Sequence, residues 1–447
     1  MPSSSARLGC VVVAAFVLAR SPWASAATSD KPRQPNVVVI IADDLGWADV
    51  GYHGSEIRTP NLDQMAEAGV RMEQYYVFPT CSPTRTAILT GRNPSRFGVW
   101  GPIGGRSEQV VPPDTTTLAD VLHSLGYTTA QVGKWHLSLR PETGPLQYGF
   151  DTSYGFLHGQ IDPYTHYYKN GDRTWHRNDK FMDEEGHATD LLTTDAVRVI
   201  ETPRSQPFFL YLAYSVPHTP LNEPSQWTEP YAASIASESR RKFAASVTHM
   251  DASIGQVLAA LDRTGQRDNT LVVFTSDNGG QHGEEKSENY GGRYDAVDVL
   301  GSNTPLRGWK GETYEGGIRV PALVVWPGTL SPRSVTLPTS ALDWLPTIAA
   351  ITGAKVSPDW HWEGKDILAE LNGTGDVGPR RLYWNTSREA ALRDGDWKLI
   401  EFTRGKQPSQ LFNLAADPNE KTDEASAHPE IVKRLAALLA EEKKRDE

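Results

Sequence analysis

Two short runs constrain what this chain can fold into more than any other feature. Val37–Ile41 (VVVII) and Leu271–Thr275 (LVVFT) are apolar and largely β-branched, and they lead into oxygen-bearing pairs, Asp43-Asp44 and Asp277-Asn278. An apolar run of this length, with no polar alternation, reads as a strand covered on both faces, the situation of parallel sheets flanked by helices. Thr128–Val132, Phe208–Val216 and Pro321–Trp326 read as further strands. Helical spacing marks Pro60–Gly69, Thr117–Gly126, Asp190–Glu201 and Glu238–Leu261. Strands alternating with helices predict an α/β fold with a mainly parallel sheet.

In open α/β sheets ligands gather beyond the carboxyl ends of the strands. If the two acidic strand ends are neighbours, three carboxylates and one amide meet there. Unneutralised, they repel strongly. A hard divalent cation offsets that, and an all-oxygen set suits Ca²⁺ or Mg²⁺ rather than Zn²⁺. Either pair alone reads more simply as a helix cap or a solvated turn. Its repetition on two strands shifts the expectation to a metal.

The 447 residues suggest two or three domains, or one large α/β domain with an appendage. Lys+Arg minus Asp+Glu is 44 − 55 = −11, which argues against nucleic acid as a partner. Beyond the first 30 positions no apolar run is long enough for a membrane span. At the start, Arg7, the apolar stretch Leu8–Ala19 and the small-residue end Ala24-Ser25-Ala26 have the layout of a secretory signal peptide over residues 1–26. Export to a periplasm or the exterior follows as an expectation, with no membrane span in the mature chain. Of the two cysteines, Cys10 would leave with that peptide and Cys81 would remain as a lone thiol.

The expected catalytic domain covers residues 27–372. Within it, 148–186 is crowded with aromatic and polar side chains and shows no period. Tyr154, Tyr164, His166, Tyr167, Tyr168, Trp175 and His176 would line a sugar subsite or, equally, pack an insertion. After the linker-like Gly373-Thr374-Gly375, residues 373–447 read as a small C-terminal α+β subdomain, with four short strands and a helix at Glu430–Lys443.

Cys81 sits in Thr80-Cys81-Ser82-Pro83-Thr84-Arg85, followed by Thr86-Ala87-Ile88-Leu89-Thr90-Gly91-Arg92. Pro83 suits a first helical turn, which places Cys81 just before an anion-attracting helix N-terminus with Arg85 about one turn on. The C-x-P-x-R and T-x-x-x-L-T-G-R pattern resembles the signature of the type I, formylglycine-dependent sulfatases. The likeness extends to Ala42–Trp47, Gly133–Leu137, Pro217–Pro220, Thr275–Gly279, Leu306–Gly311 with Glu315-Gly316-Gly317, and Leu392–Leu399. Gly149–Gly159 looks closest to the arylsulfatase B and exported bacterial polysaccharide sulfatase branch.

That resemblance implies a large mixed, mainly parallel sheet of alkaline-phosphatase type with a small C-terminal subdomain. It also implies sulfate-ester hydrolysis, on a sulfated carbohydrate or an aryl sulfate. Cys81 is then oxidised to formylglycine by a formylglycine-generating or anaerobic sulfatase-maturing enzyme. The hydrated aldehyde attacks sulfur, giving a sulfated-enzyme intermediate. Asp43, Asp44, Asp277 and Asn278, with modified Cys81, match the ligands of one Ca²⁺. Asp277 also matches the base for the attacking hydroxyl, and Arg85 the group that orients the diol. Lys134 and Lys310 match sulfate-binding cations, His136 the base for sulfate release, and His218 the donor to the leaving oxygen. Where some members carry a sulfate-touching serine, this chain has Phe156, Leu157, His158 and Gly159, so that role stays unassigned. Two alternatives stand beside this one: a phosphodiesterase or phosphonate monoester hydrolase of the same superfamily, and a non-catalytic Ca²⁺-dependent carbohydrate-binding protein.

Overall fold

The computed structural model describes residue 1 and residues 34–447, apart from 106, 110, 286–289, 292, 293, 295, 296, 376, 377 and 406. Residues 2–26 of the expected signal peptide, Cys10 included, lie outside the described residues.

Ten strands form one sheet: β1 (Asn36–Ala42), β2 (Val70–Met72), β3 (Thr128–Lys134), β4 (Thr152–Phe156), β5 (Trp175–Arg177), β6 (Lys180–Phe181), β7 (Phe208–Ala213), β8 (Thr270–Ser276), β9 (Ala322–Val325) and β10 (Arg333–Val335). Their order is β10-β2-β9-β8-β1-β7-β3-β4-β5-β6. The five central strands, β8 to β4, run parallel. β9 pairs antiparallel with β8, and β5 antiparallel with β4, so the sheet is mixed at its flanks.

Every residue of β1, β7 and β8 is buried. The reason is visible in the two cores. Val37, Val39, Ile41, Phe209 and Val273 face one core, while Val38, Ile40, Leu210, Val272 and Phe274 face the other. Both faces are dry, so the strands carry no polar alternation. The first face is covered by α2 (Cys81–Thr90), α3 (Leu118–Ser124) and α6 (Trp344–Thr352). On the second lie α1 (Pro60–Ala68), α4 (Ala188–Glu201) and α5 (Glu238–Arg263), which present Leu62, Leu192, Val199, Val247, Met250 and Ile254. Among the described residues no helix is long and apolar enough to cross a membrane.

The aperiodic aromatic segment supplies β4, β5 and β6, which extend the sheet edge. Tyr154, His166, Trp175 and His176 are buried there, with Trp175 stacked on His166. For those four side chains packing prevails over a subsite. Beyond residue 380, β11 (Arg381–Asn385), β12 (Glu389–Asp394), β13 (Trp397–Phe402) and β14 (Gln410–Asn413) form an antiparallel sheet, covered by α7 (Pro429–Lys444). Leu392, Leu399 and Leu411 meet Leu435 and Leu439 of α7. Trp384, Ala391, Ile400 and Phe412 join the first core of the large sheet.

Candidate active site

The register of β1 against β8 sets Ala42 opposite Ser276, so Asp43 and Asp277 leave the sheet side by side. The Asp44 amide donates to Asp277 Oδ1 at 3.3 Å, and the Leu45 amide to Ser276 Oγ at 3.0 Å. Asp44 turns through φ +71°, a left-handed position that Asp adopts more readily than most residues. Asp43, Asp44, Asp277 and Asn278 are all fully buried. Lys134, the last residue of β3, places Nζ 2.7 Å from Asp43 Oδ2, and Lys310 Nζ lies 2.7 Å from Asp44 Oδ1. Burial, reinforced by Asp277 and Asp44, pushes the Asp43 carboxyl up. Burial also acts to raise Asp44, but Lys310 and His218 outweigh it and hold that carboxyl low.

Two oxygens in this cluster, Asp43 Oδ1 and Asn278 Oδ1, are buried without a hydrogen-bond partner. A buried polar atom left unsatisfied costs about 1–3 kcal/mol, and two in one cluster are expensive unless something binds them. Asp43, Asp44 and His218 also bring ligand atoms within 4.8 Å of one another. The residues present therefore fit a bound cation, and the oxygen-dominated donor set suits a hard one.

Cys81 opens α2, and Thr80 is the extended residue before it. The helix begins at the cysteine itself, two residues before Pro83. Its Sγ lies 3.1 Å from His136 Nδ1, and both residues are buried. His136 Nε2 is 2.8 Å from the Ile103 carbonyl. A carbonyl only accepts, so Nε2 carries the proton and Nδ1 turns a lone pair to position 81. Burial, then Lys134 and Arg85, hold His136 well below the usual histidine range, which keeps that lone pair free. The Cys81 thiol is pushed up by burial and stays protonated. Ser82 steadies the pair: its hydroxyl donates to the His136 carbonyl at 2.8 Å and accepts from the Ile103 amide at 3.0 Å.

Arg85 is fully buried. It donates through Nη2 to Asp277 Oδ2 at 2.7 Å and through Nη1 to the Lys134 carbonyl at 3.0 Å. Its contacts thus orient Asp277 rather than the Cys81 sulfur. His218 donates from Nδ1 to the Thr219 carbonyl at 2.8 Å, and its Nε2 stands 3.7 Å from Asp44 Oδ2. Burial and the neighbouring Lys310 hold His218 down at about 3. Thr80, His218 and Lys310 open onto a cavity of about 490 Å³.

All seven residues singled out for chemistry, with Asp43, Asp44 and Asn278, thus converge on one end of the sheet. Ser82, Ile103 and Gly159 complete the site, though no motif in the sequence marks them for this role. Ile103 acts through a backbone carbonyl, which no residue type announces. A Cβ at Gly159 would lie 2.5 Å from His136 Cε1, so the glycine is what admits the ring.

A second group of ligand type, His187, Glu223 and His249, lies apart from these residues. Here both nitrogens of one histidine already face carboxylates. His249 reaches Glu223 Oε2 from Nδ1 at 2.6 Å and Asp190 Oδ1 from Nε2 at 3.0 Å. Burial opposes its charge, but the two carboxylates outweigh that and raise its proton affinity. Whenever His249 is protonated it donates from both nitrogens and keeps no lone pair for a metal.

Cations flanking an oxygen cage, with a side chain at a helix start facing a basic nitrogen, are equipped to hold an anionic ester and cleave it. The class these features define is a hydrolase of anionic esters on a mainly parallel α/β scaffold. The sequence profile of the sulfatase family matches residues 35–354, and the chain belongs to that family. It is an enzyme that hydrolyses sulfate esters. Arylsulfatase J of Mus musculus is 33% identical, covering 91% of this chain and 75% of that protein. N-acetylgalactosamine-6-sulfatase of Mus musculus is 34% identical, over 87% of this chain and 82% of that one. Among solved structures, Ps i-CgsB in complex with k-i-k-neocarrahexaose superposes with a TM-score of 0.82 at 33% identity, covering 93% of this chain and 94% of that one.

Proposed function

We propose that this chain is an exported sulfatase that removes sulfate from a sulfated carbohydrate, with formylglycine at position 81 and one Ca²⁺ held by Asp43, Asp44, Asp277 and Asn278. The observation that carries it is the 3.1 Å approach of Cys81 Sγ to the unprotonated Nδ1 of His136, beside the oxygen cage. Relatives named for galactosamine sulfate, and a neighbour crystallised with a carrageenan oligosaccharide, support a glycan substrate. The amino-terminal pattern supports export.

Formylglycine at position 81 would supply a geminal diol, with one hydroxyl available to attack sulfur and a second able to give up its proton as sulfate leaves. Asp43, Asp44, Asp277 and Asn278 would hold a divalent cation, which would supply positive charge to polarise the bound ester. The chain's own groups do the rest. Arg85 fixes the Asp277 carboxylate, which is then aimed to take a proton from the attacking hydroxyl. Lys134 and Lys310 exchange part of their contact with Asp43 and Asp44 for sulfate oxygens and stabilise the charge that develops there. The bare Nδ1 of His136 accepts the proton from the second hydroxyl. An anion drawn against Lys310 raises the proton affinity of His218, whose Nε2 can then protonate the leaving oxygen.

Intact-mass spectrometry of protein co-produced with a maturing enzyme tests the modification. Conversion of thiol to aldehyde lowers the mass by ~18 Da. Cys81→Ala should abolish turnover while leaving the fold unchanged by circular dichroism. A panel of sulfate and phosphate esters separates this reading from its rival; dominant phosphodiesterase turnover would overturn it.

A further inference from the structure

The cavity outside Lys310 and His218 has a composition that the reaction itself does not require. The protein carries a net charge of −11, yet the described residues lining this cavity include Lys169, Lys310, His282 and Arg388 and no carboxylate. Basic side chains gathered at a cavity of an acidic protein favour anionic ligands there. The sulfate under attack accounts for Lys310. It leaves Arg388, which comes from the β11–β12 turn of the C-terminal sheet, without a task.

Arg388 is held in place by its turn. The Thr386 hydroxyl accepts from the amides of Arg388 and Glu389 at 3.1 and 3.0 Å, and the Arg388 carbonyl accepts from the Thr403 amide at 2.8 Å. The next side chain, Glu389, accepts from the amide of Thr313, in the loop that carries Lys310. The turn and the sulfate-facing lysine are therefore tied together, while the Arg388 side chain stays exposed. No carboxylate partners it among the described residues. Trp100 lines the same cavity and is 46% exposed, a large indole left in water. An exposed aromatic face is a platform for a sugar ring, and a guanidinium takes up a sulfate or carboxylate through paired N–H donors. A volume of about 490 Å³ falls in the usual range for small-ligand sites, roughly 300–1,000 Å³.

We infer that Arg388 forms a second anion subsite. The enzyme selects oligosaccharides that carry another anionic group, a sulfate ester or a uronate carboxylate, on a sugar neighbouring the one that is desulfated. Trp100 supports the ring between them. This rests on the sulfatase reading for the position of the scissile ester.

Two measurements test it separately from that reading. First, kcat/KM is compared for an aryl sulfate and for oligosaccharides with one sulfate, with two sulfates on adjacent sugars, and with one sulfate beside a uronate. Arg388→Ala should lower kcat/KM about tenfold on the doubly anionic substrates and leave the other two unchanged, in line with one charge-assisted contact near solvent. Arg388→Lys should restore part of the loss. The disulfated and uronate arms show which anion is read. Second, Cys81→Ala and Cys81→Ala/Arg388→Ala proteins are titrated calorimetrically with the disulfated and monosulfated oligosaccharides. Only the disulfated one should lose affinity, whereas Trp100→Ala should weaken both alike. Equal losses on both ligands, or none, overturn the subsite even if turnover is normal. Absent turnover with a selective binding loss overturns the reaction and keeps the subsite.

Discussion

His136 shows how little of a site resides in a single side chain. Its role depends on which nitrogen is protonated, and that is decided by the Ile103 carbonyl 2.8 Å from Nε2. His136→Ala should reduce kcat by about 10²–10⁴, the range for losing a positioned base, with circular dichroism unchanged. Gly159→Ala tests the same ring indirectly. The added methyl would lie 2.5 Å from His136 Cε1 and must displace the imidazole. A displacement near 1 Å costs up to about 10² in rate, so kcat should fall while the mass signature at position 81 persists. Cys81, Arg85, Lys134 and Lys310 were legible in the sequence through the ordered motifs around them, since a lysine or arginine taken alone reads as an ordinary solvated side chain. Ser82, Ile103 and Gly159 were not, because a bridging hydroxyl, a main-chain carbonyl and a missing methyl acquire meaning only beside the ring they serve.

At the level of elements, buried charges tie the layers together. Lys398 of β13 is fully buried between Glu315 at 3.0 Å and Glu420 at 2.8 Å. Lys398→Met would leave the buried Glu420 carboxylate without a cation and Glu315 with only Arg319 at 3.8 Å, and should cost about 3–5 kcal/mol, read from the urea midpoint. His249 links α5 to α4, through Asp190, and to the loop after β7, through Glu223. Its proton affinity is raised above the ordinary 6.5 by those carboxylates, against the effect of burial. A raised folded-state value means the imidazolium stabilises the fold fully below pH 6.5, and that contribution fades as pH climbs through the folded value. The stability gap between wild type and His249→Gln should therefore narrow from pH 6 to 9, measured by urea unfolding; a gap that widens would refute the ion pair. The element pattern itself was readable: β1, β7 and β8 lack polar alternation because both faces are packed. The strands β4 to β6 were hidden, because their aromatic, mixed-polarity sequence has no period of two.

For the whole molecule, a cation bound by Asp43, Asp44, Asp277 and Asn278 would couple chemistry to stability. Chelation should lower the melting temperature and abolish turnover together, and Ca²⁺ should restore both. A ligand at a hundred times its Kd adds about 2.7 kcal/mol to the folded state. Unchanged melting after complete chelation would show that no cation is bound there. The amino-acid sequence by itself determined the central parallel strands, the long helices that cover them, the acidic strand ends and the ordered motifs around Cys81, since each of these is local in the chain. Only the tertiary structure decided that Ala42 lies opposite Ser276, that Lys134 and Lys310 reach into the carboxylates, and that a C-terminal turn brings Arg388 to the cavity. Those contacts join residues more than 70 positions apart, and such contacts are set by sheet order and by closure of the two cores, to which no short stretch of chain has access.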